Sequence, residues 1–311
     1  VVEYECRQGI AHSGTVRLYT ELTVPTTLTV GQPLTVSSAL WYQQNSPKFR
    51  SPDYFGPGAT VTATTDVHLS GGWRGLLRPT GSRTQENALI PGTELTLPAQ
   101  LADAAHTDRA GQVRITPGDM VVDFTPPEGS VLINDDDPRV TYPDGTWHYL
   151  PGRDPRHKDH QQDVHETWDK DARAVVRFTG TGIDYITEKD HRAGPLVIRV
   201  DDRLYTPPFV DPSKDDNGVT VNLVEDGGHT VWRVDNLTYG KHTLVIRNRE
   251  AKRTVIDAFR VHISHDTGSG TPEPPFSAYR AVCTPVGTPS TVIVDITGDG
   301  DGDTGDGGNG G

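Results

Sequence analysis

Between Asn134 and Val261 the chain breaks into short β-rich runs, each ended by Gly, Asp, Asn or Pro, and no other feature limits its fold as much. The first run, Val140-Thr141-Tyr142, turns at Pro143-Asp144-Gly145 into Thr146-Trp147. Ala174-Val175-Val176-Arg177-Phe178, Leu196-Val197-Ile198-Arg199-Val200 and Thr230-Val231-Trp232-Arg233-Val234 follow. His242-Thr243-Leu244-Val245-Ile246 and a last run from Val255 to Val261 complete the set. β-branched and aromatic residues suit pleated strands, while Gly, Pro, Asn and Asp suit the turns between them. This pattern predicts an antiparallel β-sandwich.

The flanking sequence has the same character. A chain of 311 residues is long enough for two domains; 33% hydrophobic residues, with 33 Gly and 24 Pro, favour many short strands. Strands are expected at 14–20, 35–41, 59–64, 94–97, 111–115 and 120–124, with 278–283 and 291–296 closing the set. The clearest helix-like patch, Leu101-Ala102-Asp103-Ala104-Ala105, is short, so the fold class is all-β. Cys6 and Cys283 are the two cysteines and lie near opposite ends. They read as one disulfide of an exported protein, with two buried thiols as the alternative. Bonded, their Cα atoms lie within about 7 Å, and everything between must leave and return. The simplest organisation is an outer β-sandwich of residues 1–130 plus 272–297, with a second sandwich, 131–264, inserted in it. Closing so long a loop stabilises by roughly 5 kcal/mol in the chain-entropy model. Residues 265–275 read as a linker, and the Gly/Asp tract 298–311 as a disordered tail, a spacer toward a wall-attachment signal. A start at Val1-Val2-Glu3-Tyr4 fits a mature exported chain, freed of its signal peptide, or a trimmed one.

Charge and motifs narrow the function. With 42 acidic against 29 basic residues the net charge is -13. That sign disfavours nucleic acid and anionic membrane surfaces, and leaves neutral glycans, cationic partners and Ca²⁺. No apolar run is long enough to span a membrane. Gly-x-Ser-x-Gly, His-Glu-x-x-His and a P-loop are missing, so a non-catalytic protein is expected. His157, His160 and His165, interleaved with Asp159, Asp163 and Glu166, match no common zinc spacing and read as a solvated loop. The Asp299-x-Asp301-x-Asp303 start of an EF-hand lacks its Gly and its Glu. Aromatic rings stack on the apolar faces of pyranoses. Tyr149, Trp168, Tyr185 and Trp147 are therefore candidate ligand contacts, joined by His165 in the same loop region; a core position is the competing reading for Trp147 and Tyr185.

Several phrases carry a resemblance: Asp135-Asp136-Asp137-Pro138 with Tyr142 and Trp147, Asp163-Val164-His165-Glu166-Thr167, and the stretch Phe178 to Ile186. Leu237-Thr238-Tyr239-Gly240-Lys241-His242-Thr243-Leu244 and Ile256-Asp257-Ala258-Phe259-Arg260-Val261 extend it. Over roughly 130 residues the segment resembles galactose-binding-like jelly rolls of extracellular proteins and carbohydrate-active enzymes. Tyr4-Glu5-Cys6, Leu22-Thr23-Val24-Pro25 and Val282-Cys283 resemble, more loosely, an immunoglobulin-like domain in exported proteins of high-GC Gram-positive bacteria. The resemblance implies a cell-surface protein that binds a glycan or cell-envelope polysaccharide, with a protein partner, an accessory region of a hydrolase, or a structural stalk as alternatives. It also implies that a structural Ca²⁺ could sit on Asp135, Asp136 and Asp257, where first and last strands would meet; no cofactor is otherwise called for.

Overall fold

A computed structural model describes residues 1–264 and 279–298. The expected linker and the Gly/Asp tail after Gly298 lie outside them. The chain divides into two compact units, Val1–Pro127 with Phe276–Gly311, and Glu128–Pro275. Both are built from strands, and among the described residues no helix is long and apolar enough to cross a membrane.

The first unit contains β1 (Val2–Arg7), β2 (Val16–Thr23), β3 (Thr27–Thr29), β4 (Pro33–Tyr42), β5 (Thr60–Gly71), β6 (Gly75–Leu77), β7 (Thr80–Thr84), β8 (Gln100–His106) and β9 (Gly111–Thr125). After the second unit's strands come β22 (Ala281–Pro285) and β23 (Val292–Thr297). Pairing runs β9-β22-β1-β2-β4-β8-β7-β5, and β5 pairs β9 again, so the sheet closes on itself. Closure leaves only the short strands β3 and β6 at the ends of the pairing order, where an open sheet would offer long edges to other chains. Alternate residues of β4 and β5, such as Leu34, Val36, Val61, Ala63 and Val67, point inward and are buried. The expected disulfide joins Cys6 to Cys283 across the β1–β22 pairing, with Cα atoms 3.9 Å apart and both residues buried.

Expected strands change in two places, and the helix-like patch proves to be strand. Leu101–Ala105 is not helical but lies in β8, which pairs with β4 from Pro33 to Ala39; the long ladder overrides the helical preference of alanine. Residues 111–115 and 120–124 form one strand, because β9 pairs β23 with its first half and β22 with its second. Residues 94–97 form no strand. The Gln85 side chain there stands in for a neighbouring strand, accepting from the Thr96 N–H and donating to the Thr96 carbonyl, each at 3.0 Å.

The second unit contains β10 (Gly129–Asn134), β11 (Val140–Asp144), β12 (His148–Leu150), β13 (Val164–Thr167), β14 (Arg173–Gly180), β15 (Gly182–Lys189), β16 (Leu196–Val200), β17 (Arg203–Val210), β18 (Asp226–Val234), β19 (Gly240–Asn248), β20 (Thr254–Ile256) and β21 (Ala258–Ile263). Two antiparallel sheets, β10-β21-β15-β18 and β11-β14-β19-β16-β17, share one core, an arrangement compatible with a jelly roll. Phe178, Ile183, Tyr185, Ile198, Trp232, Leu244, Ile246 and Phe259 fill that core. A third sheet, β12-β13-β20, adjoins them in the chain order. The run from Val255 to Val261 is two strands. It breaks at Asp257, where the chain passes from the β13 side to the β10–β15 pair.

Candidate functional site

The small sheet gathers several of the sequence candidates. Register places Tyr149 of β12 opposite His165 of β13, and His165 opposite Ile256 of β20. His165 stacks on Tyr142 with ring centroids 4.3 Å apart, and Tyr149 leans over it at 4.9 Å. Trp147 packs against Tyr142 at 4.8 Å and donates its indole N–H to the Asp144 carbonyl at 2.9 Å. Beneath the stack, His165 Nδ1 lies 2.5 Å from Asp135 Oδ2. Asp135 is fully buried, and the Tyr142 hydroxyl donates to its backbone carbonyl at 2.8 Å.

Beside Asp135 lie Asp136 and Asp163, with oxygens of all three within 4.8 Å of one another. Asn134 ties the group together, donating to Asp136 at 2.8 Å and to both Asp163 oxygens at 3.2 Å; the Tyr149 hydroxyl donates to Asp163 at 2.8 Å. That bond holds the Tyr149 hydroxyl up, at about 12. Burial, reinforced by Asp163 and Asp136 and opposed by His165, raises Asp135 above the usual carboxylate range. Asn134 Oδ1 and Asp135 Oδ1 are buried without a hydrogen-bond partner. Hard oxygens left unsatisfied inside an acidic group fit a divalent cation such as Ca²⁺. Asp135, Asp136 and Asp163, with the Asn134 amide oxygen, are the residues that would hold it, and the ion would supply rigidity and positive charge there.

Asp257 is not in that group. Its Oδ1 accepts the His160 N–H at 2.8 Å and its Oδ2 has no partner. Burial, with Asp159, Asp135 and Glu188 nearby, pushes its carboxyl up to about 8. Asp163 takes the place expected for Asp257, because β13 brings it beside Asn134 while the β20–β21 break turns Asp257 toward residues 159–160. Tyr185 is a second correction: it is fully buried, stacked on Phe259 at 5.6 Å, and donates to the Val255 carbonyl. The reason is that β15 lies between β21 and β18 and is covered on both faces. Trp147 is half-buried against the core; Tyr149 and Trp168 are exposed. The three histidines diverge. His157 meets the Glu225 carbonyl, His160 offers its backbone to Asp257, and His165 meets Asp135.

An ion network is equally buried and was not foreseen. Arg253, 2% exposed, bonds Glu166 at 2.8 Å, Glu188, and Asp190 at 3.1 Å. Arg153 joins Asp159 at 2.6 Å to Glu188. Burial drives Glu188 up, with both arginines pulling against it, whereas burial of Asp190 is outweighed by Arg192 and Arg253, which bring it down to about 2. Only the tertiary fold collects these charges, since the partners lie up to 87 residues apart.

A second surface was missed as well. On the outer face of β14, β19, β16 and β17, register lines up Arg173, Arg247, Val197 and Phe209 in one row. Val175, Val245, Arg199 and Leu204 form the next row. The strand β17 bulges between them: two residue steps on β16, Val197 to Arg199, face five on β17, Phe209 to Leu204. Bulges re-aim side chains, and here Leu204 and Phe209 end up exposed while Tyr205 and Val210 pack on the core. A depression of about 420 Å³ results, lined also by Asp202 and Arg249, with the Arg249 guanidinium 4.5 Å from the Phe209 ring centroid. The recurring arginine at the ends of apolar runs, Arg199 and Arg247, was the available signal in the sequence. Net charge, averaged over the whole chain, concealed it.

No protein-family model and no curated protein matches this sequence.

Proposed function

We propose that the second unit is a non-catalytic recognition module for a glycan or cell-envelope polymer, and that it binds on the outer face of the β14-β19-β16-β17 sheet. The observation that carries this reading is the depression on that face. It pairs an exposed aromatic, Phe209, and aliphatic groups, Leu204 and Val245, with guanidinium donors. An apolar floor packs against sugar ring faces and peripheral donors bond hydroxyls, the usual division of labour in a ligand site. A galactose-binding-like jelly roll is the reading of the fold that agrees with its two antiparallel sheets and shared core. An immunoglobulin-like ancestry for the first unit rests on its sequence phrases. The Cys6–Cys283 bond supports an oxidising, extracellular setting.

The exposed Tyr149 on β12 and Trp168 just after β13 are two further rings on which the same ligand class could stack. The test is a polysaccharide array probed with the whole chain, with Phe209→Ala and with a Tyr149→Ala/Trp168→Ala pair. Saturable binding lost in Phe209→Ala places the contact on the sheet face; loss only in the pair moves it to the loops. Absence of binding to every polysaccharide would leave a structural stalk as the better account.

A further inference from the structure

Resting on that glycan reading, we infer that the preferred ligand is an anionic polysaccharide, bearing carboxylates or phosphates, held by the arginines of the sheet face. Four guanidiniums line one depression in a chain whose net charge is -13. Arg173 and Arg247 stand directly opposite each other on β14 and β19. Like charges in that cross-strand position destabilise a sheet, a cost that Asp144 offsets at Arg173 and that an anion would relieve further. The neutralisation by neighbours is partial. Asp144 lies 2.5 Å from Arg173, whereas Asp171 is 3.8 Å from Arg247.

The other two arginines are freer. Arg199 donates only to the backbone carbonyl of Asp202, at 3.0 Å, and Arg249 lies over the Phe209 ring; neither forms an ion pair among the described residues. A guanidinium presents a planar fork of donors matched to a carboxylate or phosphate, and stacking on an aromatic fixes its plane. Arg173 and Arg247 also line a neighbouring hollow of about 400 Å³, where Lys170 adds a cation but Asp144 and Asp171 add two carboxylates, so the anion site is the depression around Arg199 and Arg249. From β14 to β17 the row crosses three strand intervals, about 14 Å at the usual ~4.8 Å spacing. That length suits a short run of sugar rings. The floor of Val197 and Val245 between the cations favours a polymer with alternating apolar ring faces and anionic substituents over a free inorganic anion.

The test uses the whole chain and three immobilised polymers: polygalacturonate, the same polymer with its carboxylates reduced to alcohols, and that reduced polymer phosphorylated on its hydroxyls. Neutral polysaccharides, polyglutamate and DNA serve as comparisons. Wild type is compared with Arg199→Gln/Arg249→Gln and with Arg199→Lys/Arg249→Lys, each checked for an unchanged melting temperature. The expected result is binding to one charged polymer at least about tenfold tighter than to the reduced one. That preference should weaken as salt rises from about 0.01 M to about 0.15 M. The glutamine pair should lose about tenfold on the charged polymer and nothing on the reduced one; the lysine pair should recover part of the loss. Which charged polymer wins identifies carboxylate or phosphate as the group read. Equal, salt-independent binding to the reduced polymer overturns the anionic preference and leaves the glycan reading standing. Binding to none of the three, nor to any neutral polysaccharide, overturns both. Tighter binding of polyglutamate or of DNA than of any polysaccharide overturns the proposal in favour of another partner class.

Discussion

Replacing Asp257 by Asn should stabilise the second unit at alkaline pH and leave it nearly unchanged at acidic pH. Asp257 is fully buried between β20 and β21, with one oxygen bonded by the His160 N–H and the other without a partner. Its carboxyl is held at about 8 instead of 3.8, chiefly by burial and secondarily by Asp159, Asp135 and Glu188. The folded state therefore keeps a proton that the unfolded chain gives up. The resulting stabilisation is complete below about pH 4 and is lost as pH rises through about 8. At 1.36 kcal/mol per tenfold, going from pH 5 to pH 9 removes ~4 kcal/mol, an upper figure because water entering the site softens the cost. Asparagine keeps the shape and the acceptor for His160 and carries no charge to bury. Asp190, brought down to about 2 by Arg192 and Arg253 against the effect of burial, contributes in a separate window. Its stabilisation is present above about pH 4 and lost as pH falls toward 2. Asp135 and Glu188, both raised by burial, share the sign of Asp257, so the variant should flatten the slope without abolishing it. Calorimetric melting of the whole chain and the variant between pH 5 and 9, with chelator present, measures the difference. An identical pH slope in both proteins, or a variant less stable than wild type at pH 9, would refute the assignment of a protonated carboxyl.

Three further outcomes are expected. Cys6→Ala/Cys283→Ala should lower the stability of the first unit by ~2–5 kcal/mol, since the bond closes a separation of 277 residues; urea unfolding with and without reductant reads this. Arg253→Ala removes the buried partner of Glu188 and Asp190 and should cost ~3–5 kcal/mol by the same assay, whereas a surface change such as Arg156→Ala should cost little. Calcium added to the wild type should raise the melting temperature of the second unit, and Asp163→Asn or Asp136→Asn should abolish that rise; calorimetry with and without excess Ca²⁺ checks it.

Much of the architecture was legible in the sequence because strand patterning and turn chemistry are local. Runs such as Ala174–Phe178 and His242–Ile246 announce themselves by composition, and a lone pair of cysteines at opposite ends left few topologies. Where local preference and long-range pairing conflict, the sequence misleads. Leu101–Ala105 has the residues of a helix and the neighbours of a strand, and Gly111–Thr125 spans two apolar runs that one ladder joins. The candidate site divides in the same way. Tyr149, His165, Asp135 and Asp136 were found as residue types and do meet, while Tyr185 had to be core because its strand is covered on both faces.

The sequence by itself determined an all-β chain, its turn positions, and a stock of aromatic and acidic groups near residues 134–168. Only the tertiary structure decided which of these share a site. Burial, register and ion pairing depend on residues far apart in the chain, as where Tyr4 pairs with Pro285, and a strand's outward face exists only once its neighbours are in place. Hence Asp163, not Asp257, joined Asp135 and Asp136 in one acidic group, Asp257 became a buried acid, and arginines scattered from 173 to 249 came to line one depression.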